Sequence, residues 1–428
     1  MTEPRTDALP TDTPRAETLR TDAARVQRRT MTVLVISQVI GTVGVGVAPS
    51  IGVLVAGAVT DSEAWAGLAR TASTLGAALV GLPLGTLAAR RGRRVALSTG
   101  WWTAAVGGAL LVPAAQWSLV VPLFIGLLLI GVGSAVSLQA RFAATDLAEP
   151  RHRARSLALL VWVGTLGSVL GPNLGVPGEV VSRATGLTVF AGAFLITAVC
   201  LAIAGTVAFA FMRPDPLITL GRIAGTPTVT GGARPGRFEQ IIAELRTNRP
   251  ARYALVAVLT AQIIMVSVMT MTPVHIVHQG GSVTIVGITI SLHIVGMYGF
   301  SPVVGIIADR CGHRLTIAAG IGVFLASLLA GALVPDDMTW IVASLILLGL
   351  GWSFVNVGGS ALFSAVVSDE TRASSQGGVD ALANLLGATA AFAAGPLLAV
   401  SSFTTLNVVA IVFLVPLAVM TARRRLAT

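Results

Sequence analysis

Hydrophobic positions in this chain fall into twelve long runs, separated by shorter polar connections. Most runs reach the roughly 20 residues that a helix needs to cross the hydrocarbon core of a membrane. We therefore predict an all-α polytopic membrane protein. Its twelve transmembrane helices, called spans one to twelve below, are predicted at 31–56, 64–88, 95–115, 118–140, 156–177, 187–212, 251–275, 283–307, 315–334, 339–363, 376–400 and 404–421.

The longest polar connection follows span six and divides the spans into two sets of six. The pattern predicts a disordered N-terminal tail at 1–30, a six-helix bundle at 31–212, a central loop at 213–250, a second six-helix bundle at 251–422 and a short tail at 423–428. Within the loop, residues 238–246 have the amphipathic pattern of a helix on the membrane surface. Charged residues make up 11% of the chain, against about 25% in soluble domains.

Arginine supplies all 29 basic residues, and most of them lie in the connections between spans. Clusters precede span one and occupy every second connection. The alternate connections carry Asp61, Glu63, Glu179, Asp336 and Asp337, with Arg183 as the basic exception. Cytoplasmic loops of membrane proteins have such an excess of basic residues, so we predict that both termini are cytoplasmic. The net charge of +10 is thereby explained without a nucleic-acid partner.

The two halves of the chain echo each other. The connection Gly85–Arg94 reads GTLAARRGRR, and 220 residues later Gly305–Arg314 reads GIIADRCGHR. A Gly-Pro pair at Gly171 in span five recurs at Gly395 in span eleven. A repeat of six spans with a basic turn at corresponding places predicts a two-bundle transporter.

These turns resemble the G-x-x-x-D-R-x-G-R-[KR] motif of the major facilitator superfamily, and the resemblance extends over about residues 30–421. It implies a gating role for a set of loop residues: Arg90, Arg94, Gly305, Asp309, Arg310, Gly312 and Arg314. The first copy departs from the motif, since Ala89 stands where the family has Asp. A simpler interpretation is that the arginines only fix the topology of the chain.

Methionine and histidine concentrate in spans seven and eight, where residues 265–297 hold four of the nine methionines and three of the five histidines. Met265/Met269 and His293/Met297 are i, i+4 pairs, so each pair shares one helix face. Thioether and imidazole ligands suit Cu(I) better than Mg²⁺ or Ca²⁺. Counted along the two spans, Met265 and His293 lie near the membrane midplane. Packing is the simpler alternative, with His293 hydrogen-bonded to Tyr298 or to another helix.

An M-x-x-x-M motif in span seven and an H-x-x-x-M motif in span eight resemble those of the CcoA-like (CalT) copper importers. The resemblance implies that Met265, Met269, His293 and Met297 bind copper, which would be a transported substrate and not a resident cofactor. It further implies import across a bacterial cytoplasmic (inner) membrane for cuproenzyme assembly. Further along span seven, Met271, His275 and His278 are candidates for an approach path to this site.

Alternative cargoes stay open at this stage. Riboflavin importers are a related branch of the same superfamily, so a small organic solute is the main alternative. Gly167, Gly171 and Gly175 in span five resemble a motif of drug/proton antiporters and suggest efflux. Asp380 in span eleven is a candidate for proton coupling, or else an ion-pair partner of a nearby arginine. The sequence has no nucleotide-binding loop or catalytic triad, so we predict a transporter and not an enzyme. We expect a monomer, although no sequence feature specifies the oligomeric state.

Overall fold

The computed structural model describes residues 14–149, 152–224, 248–367 and 369–423, and nearly all of them are helical. Twelve of its helical segments are long and apolar enough to cross a membrane. They run over Ala23–Thr60, Ala64–Arg91, Arg93–Gln116, Val120–Thr145, Arg155–Asn173, Val189–Ile223, Arg249–His278, Val283–Cys311, His313–Leu333, Met338–Val366, Gly378–Val400 and Phe403–Ala422. The predicted all-α fold with twelve spans is confirmed.

Three of the spans are interrupted where the hydropathy pattern predicts continuous helices. Span one consists of the helices Pro14–Val45 and Val53–Thr60, joined through a π-helical turn at Ala48–Gly52. Span five consists of Arg153–Leu170 and a 3₁₀ turn at Gly171–Asn173, after which the helix Gly175–Thr185 follows. In span eight, a π-helical turn at Val295–Gly299 separates Val283–Ile294 from Ser301–Cys311.

The other spans are single helices. Their bounds, in chain order, are Glu63–Arg91, Arg93–Gln116, Val120–Thr145, Val189–Phe211, Arg249–His278, His313–Leu333, Met338–Val366, Asp369–Val400 and Phe403–Ala422. Hydropathy predicted these segments well because it responds to length and composition. Wide and tight turns within a span leave hydropathy unchanged.

Two boundaries of the predicted tail and loop need correction. The first helix begins at Pro14, so the part of the predicted disordered tail from residue 14 to 30 is helical. This stretch is rich in Arg and Ala, which favour helix even where hydropathy is low. A short helix, Pro216–Ala224, also follows span six inside the predicted loop. Residues 1–13 and the amphipathic stretch predicted at 238–246 lie outside the described residues.

Each half of the chain has its own apolar core. In the first half the core is centred on the fully buried side chains of Trp101 and Phe194. In the second half it is centred on Tyr253 and Phe324. The basic side, named here for the turns Gly85–Arg94 and Gly305–Arg314, is one end of both halves. The positive-inside rule predicts that this side is cytoplasmic.

The two halves are joined at the end opposite to the basic side. Thr71 Oγ1 of span two donates a hydrogen bond to Ala388 O of span eleven (2.9 Å). Between spans five and eight, Ser291 Oγ donates to Val169 O (2.6 Å) and accepts from Asn173 Nδ2 (2.6 Å). These three hydrogen bonds, which are the ones between the halves within the described residues, all lie on that far side. The structure therefore holds the side opposite to the basic turns closed.

Glycine permits this close approach of the two halves. A Cβ atom on Gly287 of span eight would lie 2.8 Å from Pro172 O of span five. A Cβ on Gly67 of span two would collide with the carbonyl oxygen of Ala391 in span eleven. Backbone oxygen atoms cannot move aside as a flexible side chain can, so any larger residue at either position would separate the halves.

Candidate functional site

Three polar or aromatic side chains tie spans seven, eight and ten together at one level. Trp352 Nε1 of span ten donates a hydrogen bond to Gln262 Oε1 of span seven (3.2 Å). The ring of Tyr298, in span eight, meets the Trp352 ring edge-on with 5.6 Å between centroids. Trp352 thus lies in the groove between spans seven and eight, and its level is a reference for the depth of nearby residues.

The four predicted copper ligands lie close to this level. With a rise of about 1.5 Å per residue, Met265 lies about 4.5 Å and Met269 about 10 Å from the Gln262 level, away from the basic side. His293 lies about 7.5 Å from the Tyr298 level in the same direction, and Met297 directly precedes Tyr298. The four residues therefore occupy a band about 10 Å deep in the second half.

Met265 and Met269 lie on the face of span seven that packs against span ten. Val258 marks this face, because a Cβ on Gly359 of span ten would lie 3.1 Å from Val258 Cγ2. Met265 follows Val258 by seven residues, which is close to two turns, and so shares its direction. Met269 likewise follows Gln262 by seven residues. Both thioethers are buried, with 4% and 6% of the residue exposed.

His293 is completely buried, and its ring approaches span ten. Nδ1 lies 2.7 Å from Leu345 O. A carbonyl oxygen only accepts hydrogen bonds, so Nδ1 carries the proton of this bond and a neutral ring has its lone pair on Nε2. Nε2 is buried and forms no hydrogen bond within the described residues. An oriented imidazole with a free, buried lone pair is the arrangement of a metal-ligating histidine.

Met297 lies within the π-helical turn of span eight and is 5% exposed. Ser301 Oγ donates to Met297 O (3.0 Å) and is 3.4 Å from Ser353 Oγ of span ten. Wide turns of this kind are frequent at functional sites in helices. Gly296 and Gly299, which lie within the turn, are the sequence features that accompany it.

The predicted approach residues lie on another face of span seven. His275 stacks on Phe403 of span twelve, with 4.1 Å between centroids, and its Nε2 is 2.6 Å from Pro335 O. Met271 precedes His275 by one turn on the same face and is fully buried. His278 is exposed at the end of the helix. Met271 and His275 therefore face span twelve, and their part in an approach path stays a prediction.

The two basic turns are built alike. Gly92 and Gly312 both have φ of +88°, which favours glycine because a Cβ atom crowds this conformation. Arg94 Nε donates to Phe209 O at the end of span six (2.7 Å). In the second half, Arg314 Nε donates to Thr421 O at the end of span twelve (2.9 Å). Each arginine thus fastens the third helix of its half to the sixth.

The remaining residues that the motif implies as gating groups lie at the surface of the basic side. Asp309, Arg310 and Arg90 are exposed, and a Cβ on Gly305 would meet open space. Since the structure is closed at the opposite side, a lock on the basic side would form only in another state. The gating role of these residues stays a prediction.

A polar network lies at the end of span four, and sequence reasoning did not identify Arg93 as its centre. Arg93 Nε is 2.9 Å from Asp146 Oδ2, and Arg93 Nη1 donates to Gln139 Oε1 (3.0 Å). Asp215, which precedes the short helix after span six, accepts from the backbone N–H of Arg94 (2.7 Å) and Leu217 (2.9 Å). An acidic residue is thus present beside the first turn, although Ala89 replaces the motif Asp.

Two arginines of the first half lie near enough to Tyr298 of the second half to act on it electrostatically. Arg70 of span two interacts electrostatically with Tyr298 and His293. Arg141 of span four interacts with Tyr298 and with Asp380 of span eleven. Tyr298 is 36% exposed. A charged residue within a predicted span is the sequence feature that would have indicated Arg70 and Arg141 as candidate functional residues.

Comparisons with known proteins agree with this architecture. The family model described as Major Facilitator Superfamily matches residues 32–285 and 254–427. The uncharacterized MFS-type transporter YdeG of Bacillus subtilis is 37% identical over 387 residues, 89% of this chain and 88% of that protein. The riboflavin transporter RfnT of Brucella anthropi is 28% identical over 385 residues, 90% of this chain and 92% of that protein.

Solved structures share the fold at low sequence identity. The crystal structure of the nucleoside transporter NupG has a TM-score of 0.70 and 15% identity, covering 92% of this chain and 98% of that chain. A bacterial homolog of the lysosomal transporter Spinster, inward-facing and unoccupied, has a TM-score of 0.66 and 14% identity over 93% of this chain and 96% of that one. From the family match, the relatives and the fold together, the chain belongs to the major facilitator superfamily of membrane transporters.

Proposed function

We propose that this transporter imports copper, as Cu(I), through a site formed by Met265, Met269, His293 and Met297. The single observation that carries the proposal is the free lone pair of His293 Nε2, which is buried and has no hydrogen-bond partner among the described residues. An unpaired buried acceptor is costly, and a soft cation would satisfy it.

The chemistry of the neighbouring side chains supports this cargo. The buried thioethers of Met265, Met269 and Met297 lie within about two helical turns of the depth of His293, counted along spans seven and eight. Thioethers and imidazole bind Cu(I) without a carboxylate in the membrane. A transport site must also release its ion, and neutral thioethers hold copper less firmly than thiolates would. Copper is the cargo in this proposal, so no resident cofactor is required.

The observed state is compatible with import by alternating access. The halves are joined at the side opposite to the basic turns, by Thr71 and by the Asn173–Ser291 pair. This state is therefore closed away from the basic side, which the distribution of arginines predicts to be cytoplasmic. In this proposal the structure represents the state that releases copper into the cell across a bacterial inner membrane.

Copper uptake by cells tests the proposal. In a bacterial strain without its own copper importer, we expect the wild-type chain to restore accumulation of radioactive copper. His293→Ala and Met265→Ala should each reduce the uptake rate about tenfold or more, since even groups that only orient a ligand change metal affinity about 10–100-fold. Met212→Ala removes a fully buried methionine of the first half and serves as the matched control. Amounts of each variant in the membrane are measured in parallel.

Wild-type copper uptake by both His293→Ala and Met265→Ala would refute the copper site. If Met212→Ala lost uptake as well, the effect of the other substitutions could not be ascribed to ligation. The measurement is made at equal membrane abundance, because a cavity left by a Met→Ala change destabilises a core by about 2–5 kcal/mol.

A second candidate cargo is a small organic solute, and the aromatic pair favours it. Tyr298 and Trp352 present rings beside the amide of Gln262, which suits a flat molecule with hydrogen-bonding edges. The similarity to a riboflavin transporter points to the same class. Riboflavin uptake by an auxotrophic strain tests it, with Trp352→Ala expected to lose uptake. Trp340→Ala, which changes a half-exposed tryptophan (51% exposed), is the control.

The glycine motif of span five gives no separate support to drug efflux. Gly171 packs against Gly46 of span one, since a Cβ on Gly46 would lie 3.1 Å from Gly171 Cα. Gly167 approaches the backbone and side chain of span one as well. Close packing of spans one and five within the first half serves a transporter of any cargo.

A further inference from the structure

The end of span six on the basic side gathers arginine side chains from three parts of the first half. Arg94 Nε, at the start of span three, donates a hydrogen bond to Phe209 O (2.7 Å). Arg29 Nε of span one donates to Phe211 O (3.0 Å). The guanidinium carbon of Arg94 is 4.3 Å from the centroid of the Phe209 ring, and that of Arg213 is 5.9 Å from it. These three cationic groups, named here the arginine cluster, surround the last turn of span six.

Capping of the helix end accounts for only part of the arginine cluster. The last carbonyl groups of a helix lack partners in the helix, and arginines commonly satisfy them. A guanidinium group has several N–H donors, yet Arg29 and Arg94 each use only Nε in these bonds. The Arg213 side chain makes no hydrogen bond or ion pair within the described residues, and it is exposed, as is Arg29. Most donors of the cluster are therefore left for a ligand from outside the chain.

The acidic residue that follows span six does not pair with the arginine cluster. The Asp215 carboxylate accepts from the backbone N–H groups of Arg94 (2.7 Å) and Leu217 (2.9 Å). It thereby caps span three and the short helix Pro216–Ala224 at the same time. Among the residues that the structure describes, no carboxylate lies within ion-pair distance of the three guanidinium groups. The cluster keeps a net positive charge in a fixed arrangement.

An exposed apolar surface adjoins these charges. The rings of Trp102 and Phe209 meet with 5.3 Å between centroids, and they are 36% and 37% exposed. Phe211 is 56% exposed. Spans three and six take no part in the principal contacts between the halves, so these exposed side chains face the bilayer. On the short helix, Ile218 and Ile223 are exposed as well. The cluster thus lies where the acyl chains of lipids meet their head groups.

The two features together fit one class of ligand. A phosphodiester matches the planar fork of donors of a guanidinium group, and the cytoplasmic leaflet carries a negative surface potential because of its anionic lipids. A free phosphate would use the arginines but would leave the aromatic surface uncovered. We propose that Arg29, Arg94 and Arg213 bind the head group of an anionic phospholipid, whose acyl chain lies along Trp102 and Phe209.

The second half differs at the corresponding place. Arg314 uses two nitrogen atoms on one carbonyl group, since Nε and Nη2 both donate to Thr421 O (2.9 and 2.6 Å). Within the described residues, the contacts between arginines and aromatic rings all belong to the first half. The lipid would therefore bind to one half alone, where it joins span one, span three and the segment after span six. The inference is independent of the cargo.

Native mass spectrometry of the delipidated, detergent-solubilised protein tests the proposal. The apparent affinity of the first bound lipid is measured with phosphatidylglycerol and with zwitterionic phosphatidylcholine, and we expect the wild type to prefer phosphatidylglycerol. Arg213→Gln should weaken phosphatidylglycerol binding about fivefold, the contribution of one arginine at an anionic lipid surface. Arg29→Gln combined with Arg213→Gln should weaken it about 25-fold. Circular dichroism verifies that each variant is folded, and Arg213→Gln alone decides if the double variant is not.

Arg252→Gln is the matched control, because Arg252 is an exposed arginine at the start of span seven on the same side. It removes the same charge away from the aromatic surface and should bind phosphatidylglycerol as the wild type does. Equal affinity of Arg213→Gln and wild type would overturn the proposal. A loss of the same size in Arg252→Gln would also overturn it, since the attraction would then be a property of the whole basic side.

Competition with glycerol phosphate separates a lipid site from a site for free phosphate. Glycerol phosphate has the anionic group without acyl chains, so we expect it to leave phosphatidylglycerol bound when both are present at equal concentration. Trp102→Ala, which removes part of the apolar surface and none of the charge, should weaken the lipid. Displacement of phosphatidylglycerol by glycerol phosphate would show that the arginine cluster binds phosphate alone, against the proposal.

Discussion

Replacement of Ser291 by Ala should shift the transporter toward the state that is open opposite to the basic turns. Within the described residues, the Ser291 hydroxyl makes two of the three hydrogen bonds between the halves, one to Val169 O and one from Asn173 Nδ2 (2.6 Å each). The substitution removes both without leaving a buried amide unpaired, because Asn173 Nδ2 also donates to Val169 O (3.0 Å). The perturbation is therefore confined to the contact between spans five and eight.

The size of the shift follows from the number of bonds lost. A net hydrogen bond contributes about 0.5–1.5 kcal/mol, so two contribute about 1–3 kcal/mol. In the open state, water would hydrogen-bond to Val169 O and Asn173 Nδ2 in wild type and variant alike. The substitution therefore destabilises only the closed state. The equilibrium should move about 5–150-fold. A state populated at about 1% would then rise to about 5–60%.

Distances between spin labels measure this equilibrium. Labels at Ala184 and Val400 lie in different halves, and both positions are exposed at the far side. The two native thiols, Cys200 and Cys311, are first replaced by Ser. We expect Ser291→Ala to add a longer-distance component in double electron–electron resonance, with a population in the range given above.

Ser267→Ala is the matched control, because the Ser267 hydroxyl donates only to Ile263 O and Ile264 O of its own helix. It should leave the distance distribution as in the wild type. An unchanged distribution in Ser291→Ala would refute the idea that these hydrogen bonds hold the far side closed. An equal change in both variants would show that loss of any span hydroxyl loosens the protein.

Two further substitutions test the site and its coupling. In Gly349→Ala a Cβ would collide with His293 O, so span eight should be displaced. We expect lower copper uptake and a loss of about 1–3 kcal/mol in the free energy of unfolding. Gly322→Ala, where a Cβ meets open space, should change neither quantity. Asp380→Asn should abolish the stimulation of uptake by an imposed pH gradient while Asp336→Asn retains it, and an intact pH response in proteoliposomes would leave Asp380 a structural role only.

The spans and the internal repeat could be predicted from sequence because they depend on local properties. Length and hydropathy identify a span regardless of its neighbours, and the turns at Gly92 and Gly312 are recognisable because their backbone needs glycine. The tethers of Arg94 and Arg314 could not be predicted, since they depend on which helix ends come together within each half.

The candidate site was predictable in part. Its residue types and approximate depth follow from counting along spans seven and eight. The hydrogen bond from His293 to Leu345 depends on how span eight packs against span ten, which no local pattern encodes. The sequence also predicts that Met271 points away from Met269, since residues two apart on a helix differ in direction by about 200°. Counting depth alone does not separate the two residues.

The π-helical turn in span eight makes the two halves unequal in a way that the repeat does not suggest. Spans two and eight hold the same number of residues, from Glu63 to Arg91 and from Val283 to Cys311. Span two is α-helical throughout, whereas the wide turn at Val295–Gly299 accommodates about one extra residue. Beyond it, span eight is therefore rotated by about 100° relative to an unbroken helix. The repeat of 220 residues places Ser73 of span two opposite His293, so the first half has no second copy of the site, and we expect one cargo per transport cycle.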